Sequence, residues 1–262
     1  MQDEQLLLFI ACSFYTISFI FTYLSKKTFT YHIVISSSIL GLLIHTVSLG
    51  IRWGRVGHGP FINLYEILSS NVWSLMLCFV IFMMLSKQNA QMSRYIVPIL
   101  ALLMIWLVFT PARDTYLPPT YNTIWLYFHV FSGKFFLGLL LLATGMAIFE
   151  LVATKSTDRS ISIPAIQLLS YRFLAFAFCF ESLMLFFGAI WAQDAWGRYW
   201  SWDPLETWAF LTWLSLVFVL HWKTSHGHQK IYPVLVLACF VLAFLTFFGV
   251  PFISTAPHKG MI

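Results

Sequence analysis

Eight stretches of this chain are too long and too apolar to sit in a water-soluble fold. They run near 5–24, 32–51, 64–86, 94–110, 124–152, 172–193, 205–222 and 231–251. A bilayer's hydrocarbon core is about 30 Å thick, and a helix rising about 1.5 Å per residue needs roughly 20 apolar residues to cross it. Inside that layer no water bonds to the backbone, so each run must satisfy its own N–H and C=O groups as a helix. The expected fold is all-α: a polytopic transmembrane helix bundle of about eight spans. Charged residues make up 10 % of the chain, whereas soluble domains average about 25 %. No repeat, low-complexity segment or linker separates a second domain, so one membrane domain is expected over 1–262.

The basic residues then set the direction of threading. Nine of them lie in the first, third, fifth and seventh loops: Lys26, Lys27, Lys87, Arg94, Lys155, Arg159, Arg172, Lys223 and Lys230. Five lie in the even loops and the C-terminal tail: Arg52, Arg55, Arg113, Arg198 and Lys259. Basic loops stay cytoplasmic, so both termini and the even loops are expected outside, although 52-RWGRVGHGP-60 pulls the other way. The net charge of +5 is read as this topological signal, with no nucleic acid implied. The N-terminus, MQDEQLLLFI, is acidic before its apolar run. A cleaved signal peptide needs the reverse, so a retained helix is expected. Cys12, Cys78, Cys179 and Cys239 each lie in an apolar run and form no C-x-x-C pair. No dithiol, zinc or haem-attachment motif follows from them. Nucleotide-binding glycine patterns and G-x-S-x-G are also absent.

One outer loop, 193–206, is unusual. The stretch 196-WGRYWSWDPLETW-208 holds Trp196, Trp200, Trp202 and Trp208, with Gly197, Arg198, Tyr199, Asp203, Pro204 and Glu206 among them. Interfacial tryptophans commonly form a belt. Four at this spacing exceed one and offer flat apolar surface suited to a flat macrocycle. Arg198 has the fork to hold a carboxylate. On the same outer side lie His58, His129 (about five residues into the fifth run) and His258 in the tail. A neutral imidazole ligates haem iron, and two make a bis-histidine site. His32, His221, His226 and His228 fall at the inner face. His221 ends the seventh run, about 25 Å along the helix from Asp203, too far to share an iron with His129. It is read either as a ligand of a second, inner haem, with His32 or a partner chain supplying the other ligand, or as a helix-terminal cap. His45 is in mid-span. Lys134, Glu150 and Glu181 also fall inside apolar runs, where ionisable groups are costly. Glu150 also reads as a span end. Lys134 and Glu181 read either as an ion pair or as holders of a propionate or a proton.

The segment 196-WGRYWSWDPLETWAFLTW-213 resembles the tryptophan-rich WWD signature of the haem-handling cytochrome c assembly proteins, and most closely its CcsA-type branch. The element 52-RWGRVGHGPFINLYE-66, with Arg52, Trp53, His58 and Glu66, is similar to the corresponding CcsA element. The resemblance covers about residues 50–258. It implies that haem b lies over the tryptophan segment between His129 and His258, and that His221 serves an inner haem. It also implies a CcsB (ResB)-like membrane partner, and delivery of haem to the C-x-x-C-H motif of apocytochrome c as the haem-binding half of a cytochrome c synthase. The inner (plasma) membrane is expected rather than a thylakoid. Three departures stand out: 256-APHKG-260 replaces the usual L-H-S-Y, Lys134 occupies a helix usually uncharged there, and the chain is short for the branch. They leave room for a HemX-like regulator or a CcmC-like handler. A four-helix cytochrome b would need histidine pairs at mid-span, and only His45 lies there.

Overall fold

The computed structural model describes residues 3–24, 28–85, 90–153, 163–226 and 230–250. Among them are eight helices and no strand: α1 (Asp3–Leu24), α2 (Thr28–Val56), α3 (Leu64–Leu85), α4 (Ala90–Phe109), α5 (Ile124–Ala153), α6 (Ile163–Trp196), α7 (Pro204–His226) and α8 (Tyr232–Phe248). Seven are long and apolar enough to cross a membrane, and α8, with 17 residues, is shorter. The chain is a polytopic, multi-pass membrane protein.

Several helices outrun the apolar stretches that predict them. The α6 helix has 34 residues and starts at Ile163, nine residues before the run at 172. That adds up to a rod of about 50 Å, longer than the hydrocarbon layer, so α6 must tilt or project past it. Its extra segment is too polar to read as a span, yet it buries Ile166 and Ser170, four residues apart on one face. The α7 helix likewise continues to His226, which places His221 within the helix rather than at its end.

The chain separates into two compact units, Met1–Leu117 and Pro118–Ile262, just before the Pro118–Pro119 pair. In the first unit α1 packs on α2, α2 on α3, α3 on α4 and α4 back on α1. Gly41 lets α1 and α2 close, since a Cβ there would lie 2.6 Å from the Tyr15 ring. His45 is fully buried and satisfied at both nitrogens, with Nδ1 3.3 Å from the Tyr15 hydroxyl and Nε2 2.9 Å from Ser69 Oγ. It ties α1, α2 and α3 together and is a core residue of this unit.

The second unit is built on the antiparallel pair α5 and α6, with α8 against α5 and α7. Without a hydrophobic drive between helices in lipid, small residues and interhelical polar bonds do the joining. Gly133, Ala143 and Ala177 are buried. Ser170 Oγ donates to the Ala143 carbonyl at 3.3 Å, and Gln167 Nε2 to Glu150 Oε1 at 2.7 Å. The hydroxyls of Thr212 and Thr246 meet at 3.0 Å between α7 and α8.

Candidate functional site

The tryptophan loop begins and ends with strong local signals. Gly197 takes φ +76° as α6 stops, and its N–H donates to the Gln193 carbonyl at 3.0 Å. This left-handed cap is one that glycine forms without strain. Six residues on, Asp203 caps α7: its Oδ1 accepts the Glu206 N–H at 2.9 Å. Glu206 Oε2 reaches back to the N–H groups of Ser201 (2.7 Å) and Asp203 (3.4 Å). With Pro204 opening the helix, this is a capping box. The expected loop at 193–206 is therefore shorter, 197–203, because Gly197 and the W-D-P-x-E start signal let both helices run into it. Both acids are committed to loop geometry. Glu206→Ala is expected to cost about 1 kcal/mol and to speed amide exchange at Ser201. Unchanged exchange there would rule out the brace.

Between the caps, Trp202 sits at φ +59°, a left-handed conformation that is an outlier for a bulky residue. Such strain persists only where surrounding bonds hold it, and here the capping box follows at once. The turn leaves the Trp202 and Tyr199 rings exposed, at 66 % and 61 %. Arg198 is also exposed and, among the described residues, makes no ion pair.

The aromatic residues form two clusters rather than one floor. In the first, Trp200 and Trp202 meet edge-to-face at 5.7 Å and both contact Phe210, which stacks on Trp213 at 6.0 Å. Trp200 Nε1 is buried without an acceptor. The second surrounds Trp191, which is 2 % exposed and donates its Nε1–H to the Tyr121 carbonyl at 2.9 Å. The Trp196 ring lies 5.0 Å from it edge-on, and Tyr121 packs against both. Trp208 is half-buried on the first turns of α7.

His129 belongs to this second cluster. Its ring stacks on Trp191 at 6.0 Å and 17°. Nδ1 lies 2.8 Å from the Met184 carbonyl. A carbonyl only accepts, so Nδ1 carries the proton, and in the neutral ring Nε2 then holds the lone pair. Gly188 lies directly beneath, where a Cβ would come within 2.7 Å of Nδ1. His221 is exposed on α7 and donates Nδ1–H to the Val217 carbonyl at 3.0 Å, which leaves Nε2 as the lone-pair nitrogen of the neutral tautomer. His32, exposed near the start of α2, lies edge-on to Tyr31 at 5.5 Å. His258 lies outside the described residues.

Lys134 and Glu181 do not pair. Glu181 is fully buried, and neither of its oxygens has a hydrogen-bond partner, Lys134 included. It lies on α6 seven residues before Gly188, on the same helical face and about 10 Å deeper. Lys134 is half-buried on α5.

The other residues singled out around 52–66 assemble in the first unit. Arg52 Nε donates to Glu66 Oε1 at 2.9 Å and Nη1 to Glu4 Oε1 at 3.2 Å. Arg55 holds Glu4 at 2.6 Å and grips Asp114 with both terminal nitrogens, at 2.6 and 2.8 Å. Those bonds hold the Asp114 carboxyl below its ordinary range. His58 is buried with Nε2 3.0 Å from the Thr115 carbonyl and Nδ1 3.0 Å from that of Gly59, pinning the 110–117 loop to the α2–α3 turn. Trp53 is exposed. Asn63 caps α3 through the Glu66 N–H at 2.8 Å, while Glu66 Oε2 accepts from Ile62 N at 2.9 Å. Sequence reasoning missed Glu4 and Asp114 in this network, and Met184, Gly188 and Trp191 around His129. A glycine inside an apolar helical run was the one available sign of close approach.

Residues 61–258 match the family described as cytochrome C assembly protein. The chain belongs to the cytochrome c assembly protein family. Relatives within it are named cytochrome c biogenesis protein CcsA. That of Chlamydomonas reinhardtii is 30 % identical over 83 % of this chain, which spans 65 % of that protein. That of Guillardia theta is 29 % identical over 87 % of this chain and 85 % of its own length. That of Chlorella vulgaris is 29 % identical over 97 % of this chain and 93 % of its own. The chain is of the CcsA type. The matched segment contains His129, the tryptophan loop, His221 and His258, and it begins inside the 52–66 element, past His58.

Proposed function

We propose that this chain holds haem b for attachment to apocytochrome c, as the haem-binding half of a cytochrome c synthase. The observation that carries the reading is His129: an imidazole whose Nδ1–H is bound to a backbone carbonyl, 2.8 Å away. Ligating histidines characteristically spend their second nitrogen this way, which fixes the ring and raises its basicity. The neighbouring loop fits the rest of a haem. Its exposed Trp202 and Tyr199 rings suit a porphyrin face. The exposed Arg198 fork suits its propionates.

The work of this chain is positioning. His129, with His258 as the second axial ligand, holds and electronically tunes the iron. The loop, braced by Asp203 and Glu206, presents the ring edge outward. Each substrate thiol then adds across a vinyl group: the sulfur–carbon bond forms on one vinyl carbon and the proton goes to the other. The apocytochrome's own histidine replaces one axial ligand. His221, also with Nδ1 engaged, serves an inner haem whose other ligand comes from His32 or from a CcsB (ResB)-like partner. The loop and both termini face outward across the inner (plasma) membrane. The arginines that opposed this sidedness, Arg52 and Arg55, lie in ion pairs on α2 rather than free in a loop.

Purified protein is expected to carry or take up haem with a low-spin bis-imidazole spectrum, and to yield holocytochrome when co-expressed with a CcsB-like subunit and a C-x-x-C-H substrate. Colourless protein that fails to titrate with haem would overturn the reading. Haem binding without holocytochrome would assign the chain to a HemX-like regulatory role.

A further inference from the structure

The α6 helix presents three groups to His129, and they repeat on a single face. Met184, Gly188 and Trp191 are four and three residues apart, so they fall within about 60° of one another around the helix. Each meets a different part of the imidazole. The Met184 carbonyl accepts Nδ1–H at 2.8 Å. Gly188 lies under the ring, where a Cβ would stand 2.7 Å from Nδ1 and 3.0 Å from Cε1. The Trp191 indole stacks on the ring, 6.0 Å away and 17° from parallel. Trp191 itself is held, buried and bonded through Nε1 to the Tyr121 carbonyl. The facing stretch of α5 is shaped to match: one turn past His129, Gly133 would bring a Cβ within 2.9 Å of Met184 Sδ.

We infer that Met184, Gly188 and Trp191 are positioning residues for His129: they fix its tautomer and ring plane, and thereby commit Nε2 to the iron. The inference rests on the haem reading of His129 and adds to it a cradle on a second helix. Gly188 is the sensitive member. Any side chain there occupies the space of the imidazole, so the ring must swing away and lose the Met184 carbonyl, while both helices can keep their places. Trp191 acts by stacking, so an aromatic replacement should serve and an aliphatic one should not. The sequence pattern is thus G-x-x-W on α6 facing H-x-x-x-G on α5, with a backbone carbonyl closing the site.

The test uses full-length protein in detergent with ¹⁵N-labelled histidine, with and without added haem. In haem-free wild type, the ¹⁵N shifts of His129, assigned by comparison with His129→Ala, should report the neutral Nδ1–H tautomer. Gly188→Ala should abolish that single-tautomer signature and weaken haem binding by about 10–100-fold, the usual effect of removing a ligand's supporting contact. Trp191→Phe should retain the tautomer and most of the affinity, whereas Trp191→Leu should not. Gly54→Ala, on an open face of α2 with no atom within 4 Å of the new Cβ, should change neither readout. A Gly188→Ala protein with the wild-type tautomer and affinity would overturn the cradle. If wild type takes up no haem, the haem reading falls alone, and the tautomer comparison in haem-free protein still decides whether α6 sets the ring.

Discussion

Arg52→Met is expected to destabilise the first unit by about 3–5 kcal/mol, the cost of stranding a buried charge by deleting its partner. Arg52 is 2 % exposed, Glu4 1 % and Glu66 0 %. Glu4 keeps Arg55 at 2.6 Å in the variant, so the loss falls mainly on Glu66. That carboxylate retains the Ile62 N–H but loses its ion pair, at 2.8 Å. The Arg113 carbonyl loses the 2.6 Å bond that anchors the 110–117 loop, and the guanidinium leaves the Tyr65 ring, now 4.9 Å away. Thermal unfolding in detergent measures the effect. Adding Glu66→Gln removes the stranded charge and keeps an acceptor for Ile62 N–H, so the double variant should recover a large part of the loss. A single variant within about 1 kcal/mol of wild type would show that the pair contributes as weakly as a surface ion pair. A double variant no better than the single would show that the loss is steric.

His129→Ala should lower haem affinity by more than about 100-fold, since loss of a supporting contact alone costs about 10–100-fold. Exogenous imidazole should restore the low-spin spectrum, because it supplies the missing nitrogen at a site whose walls, Trp191 and Gly188, remain. His45→Ala is the informative contrast. It removes two hydrogen bonds, to Tyr15 and Ser69, and leaves a cavity, at a cost of about 2–4 kcal/mol. The folded fraction should titrate with haem as wild type does. The same pair of measurements, haem titration and thermal unfolding, separates a ligand from a core histidine. An unchanged titration for His129→Ala would remove it from the site.

The eight helices and the tryptophan loop were legible because each rests on local chemistry. Twenty apolar residues in lipid have to be helical, and Gly197 and D-P-x-E are stop and start signals that act within one turn. The overrun of α6 was not legible. Its first nine residues have no apolar run of their own and are helical because Ile166 and Ser170 have packing partners in the second unit. The single aromatic floor expected from the spacing of the tryptophans divides into two clusters, since Gly197 turns the chain between Trp196 and Trp200 and each side packs on its own helix. The histidines show the same limit. His45 and His129 both stand in apolar runs, and only depth in the run and the family resemblance set them apart in the sequence. Partners 24 and 30 residues from His45 make it structural, and a carbonyl 55 residues from His129 sets its tautomer.

By itself, then, the order of residues determined the helical, multi-pass membrane fold, the family and the presence of a tryptophan-rich loop, all of which depend on solvent and on neighbours close in the chain. Only the tertiary structure decided that Glu4 and Asp114 neutralise Arg52 and Arg55, that Lys134 and Glu181 stay apart, and that α6 holds His129 by Met184, Gly188 and Trp191. The physical reason is range. Helix formation in lipid is decided by groups a few residues apart, whereas an ion pair or an oriented imidazole depends on which faces of distant helices meet.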